Sequence, residues 1–325
     1  MNEKALSVHF DSARFRELTK RYQQLRIAVA GDFCLDRYLE IDPARKEISL
    51  ETGLPVHNVV RVRSQPGGAG TILNNLAALG VAEIFPVGFG GDDGEGFELK
   101  RALAAPPGVH MEAFYLTAER RTFTYAKPLL VSAGLPPREL NRLDSKNWTL
   151  TPAGLQRRLA EALRALAPKV DAIIVLDQAD VPETGVITRR VLQAIRAIKK
   201  ERPDLLVMAD SRRSLQGYPS VCLKMNRAEL SRLAGKTRPV PLREVGLAAS
   251  ALARQKENCC FVTLADKGMV GAGDCVTANL TAALAAGASL REALQLANAA
   301  ASVVVHKLGT TGTASLAEIK RLLCA

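Results

Sequence analysis

The chain has 325 residues, 47% hydrophobic and 24% charged, and its 44 Lys and Arg against 33 Asp and Glu leave a formal charge of +11. This is the balance of a globular chain of one large domain or two modest ones, and it excludes a disordered or collagen-like chain. No run nears the roughly 18 apolar residues of a membrane span, and the basic residues are scattered among acidic ones, so neither a membrane nor a nucleic acid is an expected partner.

The opening stretch (1–26) carries charges of both signs and no apolar segment of a secretory leader. Further along, IAVAGD (27–32), AIIVLDQ (172–178), LLVMADS (205–211) and FVTL (261–264) are short apolar runs that predict strands buried on both faces. Helical periodicity marks 71–79, 95–105, 152–167, 184–200, 227–234, 242–256, 275–286, 291–306 and 315–323. Strand alternating with helix predicts an α/β fold with a doubly wound, mostly parallel central sheet flanked by helices. Three of the four runs end in Asp (Asp32, Asp177, Asp210), at the sheet end where ligands gather. Segments 38–65 and 121–131 break the rhythm. They alternate apolar with polar residues and predict a small antiparallel β-lid inserted in a single domain of residues 1–325.

The six cysteines form no CxxC pair and only four histidines occur, widely spaced. A zinc site is not expected, and a reducing, cytoplasmic setting is. A basic balance also suits an enzyme that handles anionic, phosphorylated small molecules.

Three glycine-rich stretches could carry chemistry. Pro66-Gly67-Gly68-Ala69-Gly70 precedes a helical pattern; it reads either as backbone approach to a ligand or as a tight turn with close helix packing. Residues 88–94 contain neither GxGxxG nor a Walker lysine and read as a loop. Gly271-Ala272-Gly273-Asp274 stands at a helix start. Its N–H groups could form an anion hole, with Asp274 taking a proton from an attacking hydroxyl. The same residues also read as a flexible turn followed by an Asp N-cap.

GDFCLD (31–36), PGGAG…NNLAALG (66–80), VGFGGDDGEG (87–96), NRAE (226–229), VTLADKG (262–268), GAGD (271–274) and ANAAASVVVHKLGTTG (297–312) occur in the order found in the PfkB/ribokinase carbohydrate kinases. From about residue 25 to the end, the chain resembles that family. The resemblance implies an ATP- and Mg²⁺-dependent kinase of a sugar or sugar-phosphate hydroxyl. Asp274 would be its general base, and Gly271, Ala272 and Gly273 its anion hole. Asn226 and Glu229 would meet Mg²⁺ through water. Thr263, Lys267, Gly268 and Asn298 would adjoin the nucleotide, and Asp36, Gly67, Gly68 and Thr71 the sugar. The lid would cover the sugar and join two copies into a homodimer.

EISLETGLPV (47–56), RTFTYAKPLL with LNRLD, and KLGTTGTAS (307–315) look most like bacterial heptose-phosphate kinases, which adds Lys127, Arg142 and Asp144 near the substrate. Departures are Thr71 where the family has Asn, DSRR (210–213) for Asp-Pro-Lys, and KMN (224–226) for Thr-Pro-Asn. Relatives also place a few tens of residues before GAGD. A segment near 269–271 is therefore expected to be deleted, or to be a mobile stretch missing from the sequence. Alternatives are a binding or regulatory protein of the same fold without turnover, and a nucleoside kinase.

Overall fold

The apolar runs form the middle of a parallel sheet in the computed structural model, which describes residues 10–264, 271–307 and 312–324. The strands are β1 (Arg26–Gly31), β2 (Phe33–Ile48), β3 (Pro55–Gly68), β4 (Glu83–Gly91), β5 (Phe114–Thr117), β6 (Phe123–Leu130), β7 (Arg138–Glu139), β8 (Leu143–Ser145), β9 (Ala172–Asp177), β10 (Leu206–Ser211), β11 (Cys222–Asn226) and β12 (Cys260–Thr263). The helices are α1 (Ser12–Tyr22), α2 (Ala69–Ala78), α3 (Gly94–Leu103), α4 (Ala153–Leu166), α5 (Arg189–Glu201), α6 (Arg227–Leu233), α7 (Leu242–Lys256), α8 (Ala272–Ala285), α9 (Leu290–Val305) and α10 (Leu316–Leu323).

Seven strands make the central sheet in the order β12-β11-β10-β9-β1-β4-β5, with parallel pairing throughout. Along β1, Ile27 and Val29 face a core shared with α1, α2, α8, α9 and α10. Ala28 and Ala30 face the opposite core, shared with α4, α5, α6 and α7. Helices on both faces are why these strands read as unbroken apolar runs. After β1 the chain builds β4 and β5 on one side, then β9 and β10 on the other. Such a reversal opens a crevice at the carboxyl ends of the strands.

A second sheet, ordered β3-β2-β6-β7 with β8 on β6, rises from that end. It is the expected lid with two differences. Its strands start nearer the core, at Phe33 opposite Gly68. Also, β6 runs parallel to β2, from Cys34↔Phe123 to Ile41↔Leu130, so the lid is mixed where an antiparallel one was predicted. Alternation along a strand reports which residues share a face and says nothing of strand direction. The long return through β4, α3 and β5 is what lets β6 run parallel.

The predicted loop at 88–94 is corrected as well. Gly88–Gly91 belong to β4 and are buried, because a Cβ on Gly88 would come within 2.6 Å of the Phe33 ring. These glycines serve packing. Helix α1, absent from the predicted elements, buries Phe15, Leu18 and Tyr22. Its Arg14 pairs with Glu292 at 2.7 Å, and its Arg21 donates to the Ala286 carbonyl at the end of α8. Helix α5 starts at Arg189, later than predicted, where the Thr188 side chain caps it.

Gly68 hinges lid to core with φ 57°, and a Cβ there would lie 2.5 Å from the Asp32 carbonyl oxygen. Gly68→Ala is therefore expected to cost about 1–3 kcal/mol, read as a lowered Tm. An unchanged Tm would mean that the lid base relaxes freely.

Candidate active site

The three strand-end carboxylates all have protein partners. Asp32 accepts N–H bonds from Gln178, Ala179 and Val186 at 2.8, 2.9 and 2.6 Å, tying β1 to the loop after β9. Asp177 accepts from Ser211 Oγ at 3.0 Å and Arg213 Nη2 at 2.9 Å. Burial pushes both carboxyls upward, and the charge of Asp32 adds to the effect on Asp177. Asp210 pairs with Lys224 at 2.8 Å and accepts from Thr277 Oγ1 at 3.2 Å. These residues brace the crevice floor.

Helix α8 opens onto that floor. Its cap is Gly271, at φ 86°, with no side-chain cap hydrogen bond. Asp274 is the third residue of the helix, which corrects the N-cap reading. With no capping side chain, first-turn N–H groups stay available for an anion. Beside them, Asp274 is pushed up to about 7, by burial first and then by Asp210; Lys224 and Arg212 act in the opposite direction. Lys224 Nζ lies 3.0 Å from where a Cβ on Gly273 would stand, so the ammonium sits tight against the helix start.

Lys224 and Arg212 lie in the KMN and DSRR segments that depart from the family pattern, where the sequence assigns them no site role. The available signal was a charge inside the apolar strand CLKMN, since a lysine is almost never fully buried unless paired. The exposed Arg212 also acts electrostatically on Cys34 and Tyr125.

The lid supplies another group. Residues paired across a sheet share a face, and here Asp36 pairs with Gln65 and Tyr125, Tyr38 with Lys127, and Tyr125 with Asp144. Lys127 Nζ reaches Asp36 Oδ1 at 3.1 Å and Tyr38 OH at 3.4 Å. A Cβ on Gly67 would come within 2.8 Å of Cys34 Sγ and 2.9 Å of Asp36 Oδ2, so a side chain there would push both aside. Arg142 forks onto Asp144, Nε donating to Oδ1 at 3.2 Å and Nη2 to Oδ2 at 2.9 Å, and lies over the Tyr125 ring. Asp36 also raises Asp274, which links the lid face to the helix start. Thr71 stands apart: it is buried, and its hydroxyl donates to the Pro66 carbonyl.

At the end of β11, Asn226 and Glu229 form a capping box, Asn226 Oδ1 accepting from the Glu229 N–H at 2.9 Å and Glu229 Oε2 from the Asn226 N–H at 2.7 Å. Burial raises the Glu229 carboxyl. Thr263 pairs with Asn226 across β11 and β12. Asn298 is exposed on α9. Lys267 and Gly268, and positions 269 and 270 of the suspected junction, lie outside the described residues. Among the described residues no group of three or more His, Cys, Asp or Glu could hold a metal ion. Oxygen donors already engaged in a capping box fit a Mg²⁺ met through water and substrate phosphates.

Known proteins resemble this chain in sequence and in fold. Residues 269–316 match the pfkB family carbohydrate kinase. The bifunctional protein HldE of Azorhizobium caulinodans is 32% identical over 309 residues, covering 87% of this chain and 61% of the relative. That of Gluconobacter oxydans is 32% identical over 325 residues, covering 92% and 64%. The chain thus spans less than two thirds of these relatives. Phosphofructokinase-2 from Escherichia coli, solved with fructose-6-phosphate, superposes with a TM-score of 0.68 at 18% identity, over 92% of this chain and 98% of that one. Arabidopsis thaliana ribokinase, solved with ribose and ATP, gives 0.61 at 18% identity over the same shares. No described helix is long and apolar enough to cross a membrane. Fold and sequence point the same way: residues 269–316 carry a pfkB family domain, and most of the chain is similar to the HldE proteins.

Proposed function

We propose that the chain transfers the γ-phosphoryl group of ATP to a hydroxyl of a sugar or sugar phosphate. The observation that carries this reading is the Asp274 carboxyl, raised to about 7 in the first turn of a helix whose N–H groups have no capping side chain. A base with that value accepts a proton near neutral pH. The substrate hydroxyl attacks the γ-phosphorus, its proton passes to Asp274, and the bond to the departing ADP breaks. The Gly271, Ala272 and Gly273 N–H groups meet the charge on the transferring group, with Lys224 close behind.

Asp36, Gly67, Gly68 and Lys127 hold the sugar against the lid, and Arg142 and Asp144 border it. Thr71 supports the Pro66 end of β3 beneath them. Asn226 and Glu229 hold Mg²⁺ through water, which supplies charge neutralisation on the phosphates. Thr263, Lys267, Gly268 and Asn298 adjoin the nucleotide. The heptose-kinase look of the lid segments favours a heptose phosphate as acceptor. A screen of hexoses, heptoses and their phosphates with Mg-ATP tests the reading. Sugar-dependent ADP release is expected, and none with any acceptor would overturn it.

The lid also exposes Ile48, Leu50, Leu54, Val60 and Val62. Exposed apolar side chains of this kind favour association. A second copy covering it is expected, seen as a dimer in sedimentation at micromolar concentration. A monomer with or without sugar would remove this claim.

A further inference from the structure

Strands β11 and β12 pair in parallel, with Leu223 opposite Cys260 and Asn226 opposite Thr263. One step back in that register, Cys222 stands opposite Cys259, and the Leu223 N–H donates to the Cys259 carbonyl at 2.9 Å. Neighbouring strands lie about 4.8 Å apart, inside the Cα separation that a disulfide spans. The faces agree too. Cys222 and Cys259 pack into one core of the sheet, whereas Cys260 packs into the other. Asn258 ties the two residues together, its Oδ1 accepting from Cys222 Sγ at 2.8 Å and from the Cys259 N–H at 2.9 Å. All six cysteines are free thiols here.

We propose that Cys222 and Cys259 form a redox pair that hydrogen peroxide closes into a reversible disulfide, clamping the edge strand β12 to β11. Cys259 is half-buried and Cys222 fully buried, so peroxide meets Cys259 first. The Cys259 thiol displaces hydroxide from the peroxide and becomes a sulfenic acid, with release of one water. The Cys222 sulfur then attacks that sulfenic sulfur, an S–S bond forms, and the sulfenic oxygen leaves as a second water. Two thiols are oxidised and one peroxide is reduced. Burial pushes the Cys222 thiol up to about 12, which disfavours direct attack on peroxide there.

The site lies at the opposite end of β11 and β12 from Asn226 and Thr263, clear of the proposed kinase residues. The purified chain would be treated with hydrogen peroxide, alkylated, digested and mapped by mass spectrometry, with amide exchange of β12 followed before and after. The expected result is a Cys222–Cys259 cross-linked peptide, slower exchange of the β12 amides, and full reversal by dithiothreitol. Cys222→Ser should leave Cys259 open to glutathione capture and abolish the cross-link. A disulfide between Cys259 and Cys260, no loss of thiols, or unchanged β12 exchange on oxidation would overturn the proposal.

Discussion

Asp274→Asn is expected to lower kcat by roughly 10²–10⁴-fold with little change in KM for ATP, because it removes a base that acts on a proton moving in the transition state. Gly271, not Asp274, caps α8, so the substitution leaves the helix start in place and the loss would report chemistry. Turnover within a few-fold of the parent chain would defeat the proposed mechanism. The same carboxyl sets a pH dependence. With Asp274 at about 7 against an ordinary 3.8, kcat/KM should climb with pH up to about 7 and then level.

Stability should move the other way. Between those two values the folded chain keeps a proton that the unfolded chain has released. The contribution is therefore full below the ordinary value and is lost as pH rises through about 7. Above that pH, Asp274→Asn should raise Tm slightly, which urea or thermal titration at several pH values would read.

Lys224→Met should produce the largest loss of stability. Lys224 and Asp210 are both buried and pair at 2.8 Å. Removing the ammonium leaves a buried carboxylate uncompensated, at a cost of about 3–5 kcal/mol. It also removes a positive charge that lowers Asp274, so the pH–rate profile of the surviving enzyme should shift to higher pH. The double change Asp210→Leu with Lys224→Met leaves no buried charge from the pair and should recover much of the stability. If Lys224→Met alone unfolds like the parent chain in denaturant, the pair is not a brace.

Much of this was legible before folding. Apolar runs at 27–32, 172–178, 205–211 and 261–264 mark strands covered on both faces, because burial on both sides removes polar alternation. Small residues before a helix marked 271–274, since only such residues let backbone N–H groups face a ligand. β11 escaped notice because Lys224 interrupts its apolar run, and only the facing Asp210 makes that lysine tolerable inside. Chain periodicity could not say that β6 runs parallel to β2, that Gly88 makes room for Phe33, or that Asp32 and Asp177 hold loops in place. Each of these depends on partners distant in sequence. A local pattern records how a residue meets the solvent–core boundary, whereas pairing, charge compensation and the approach of Cys222 to Cys259 exist only once separate strands and helices have packed together.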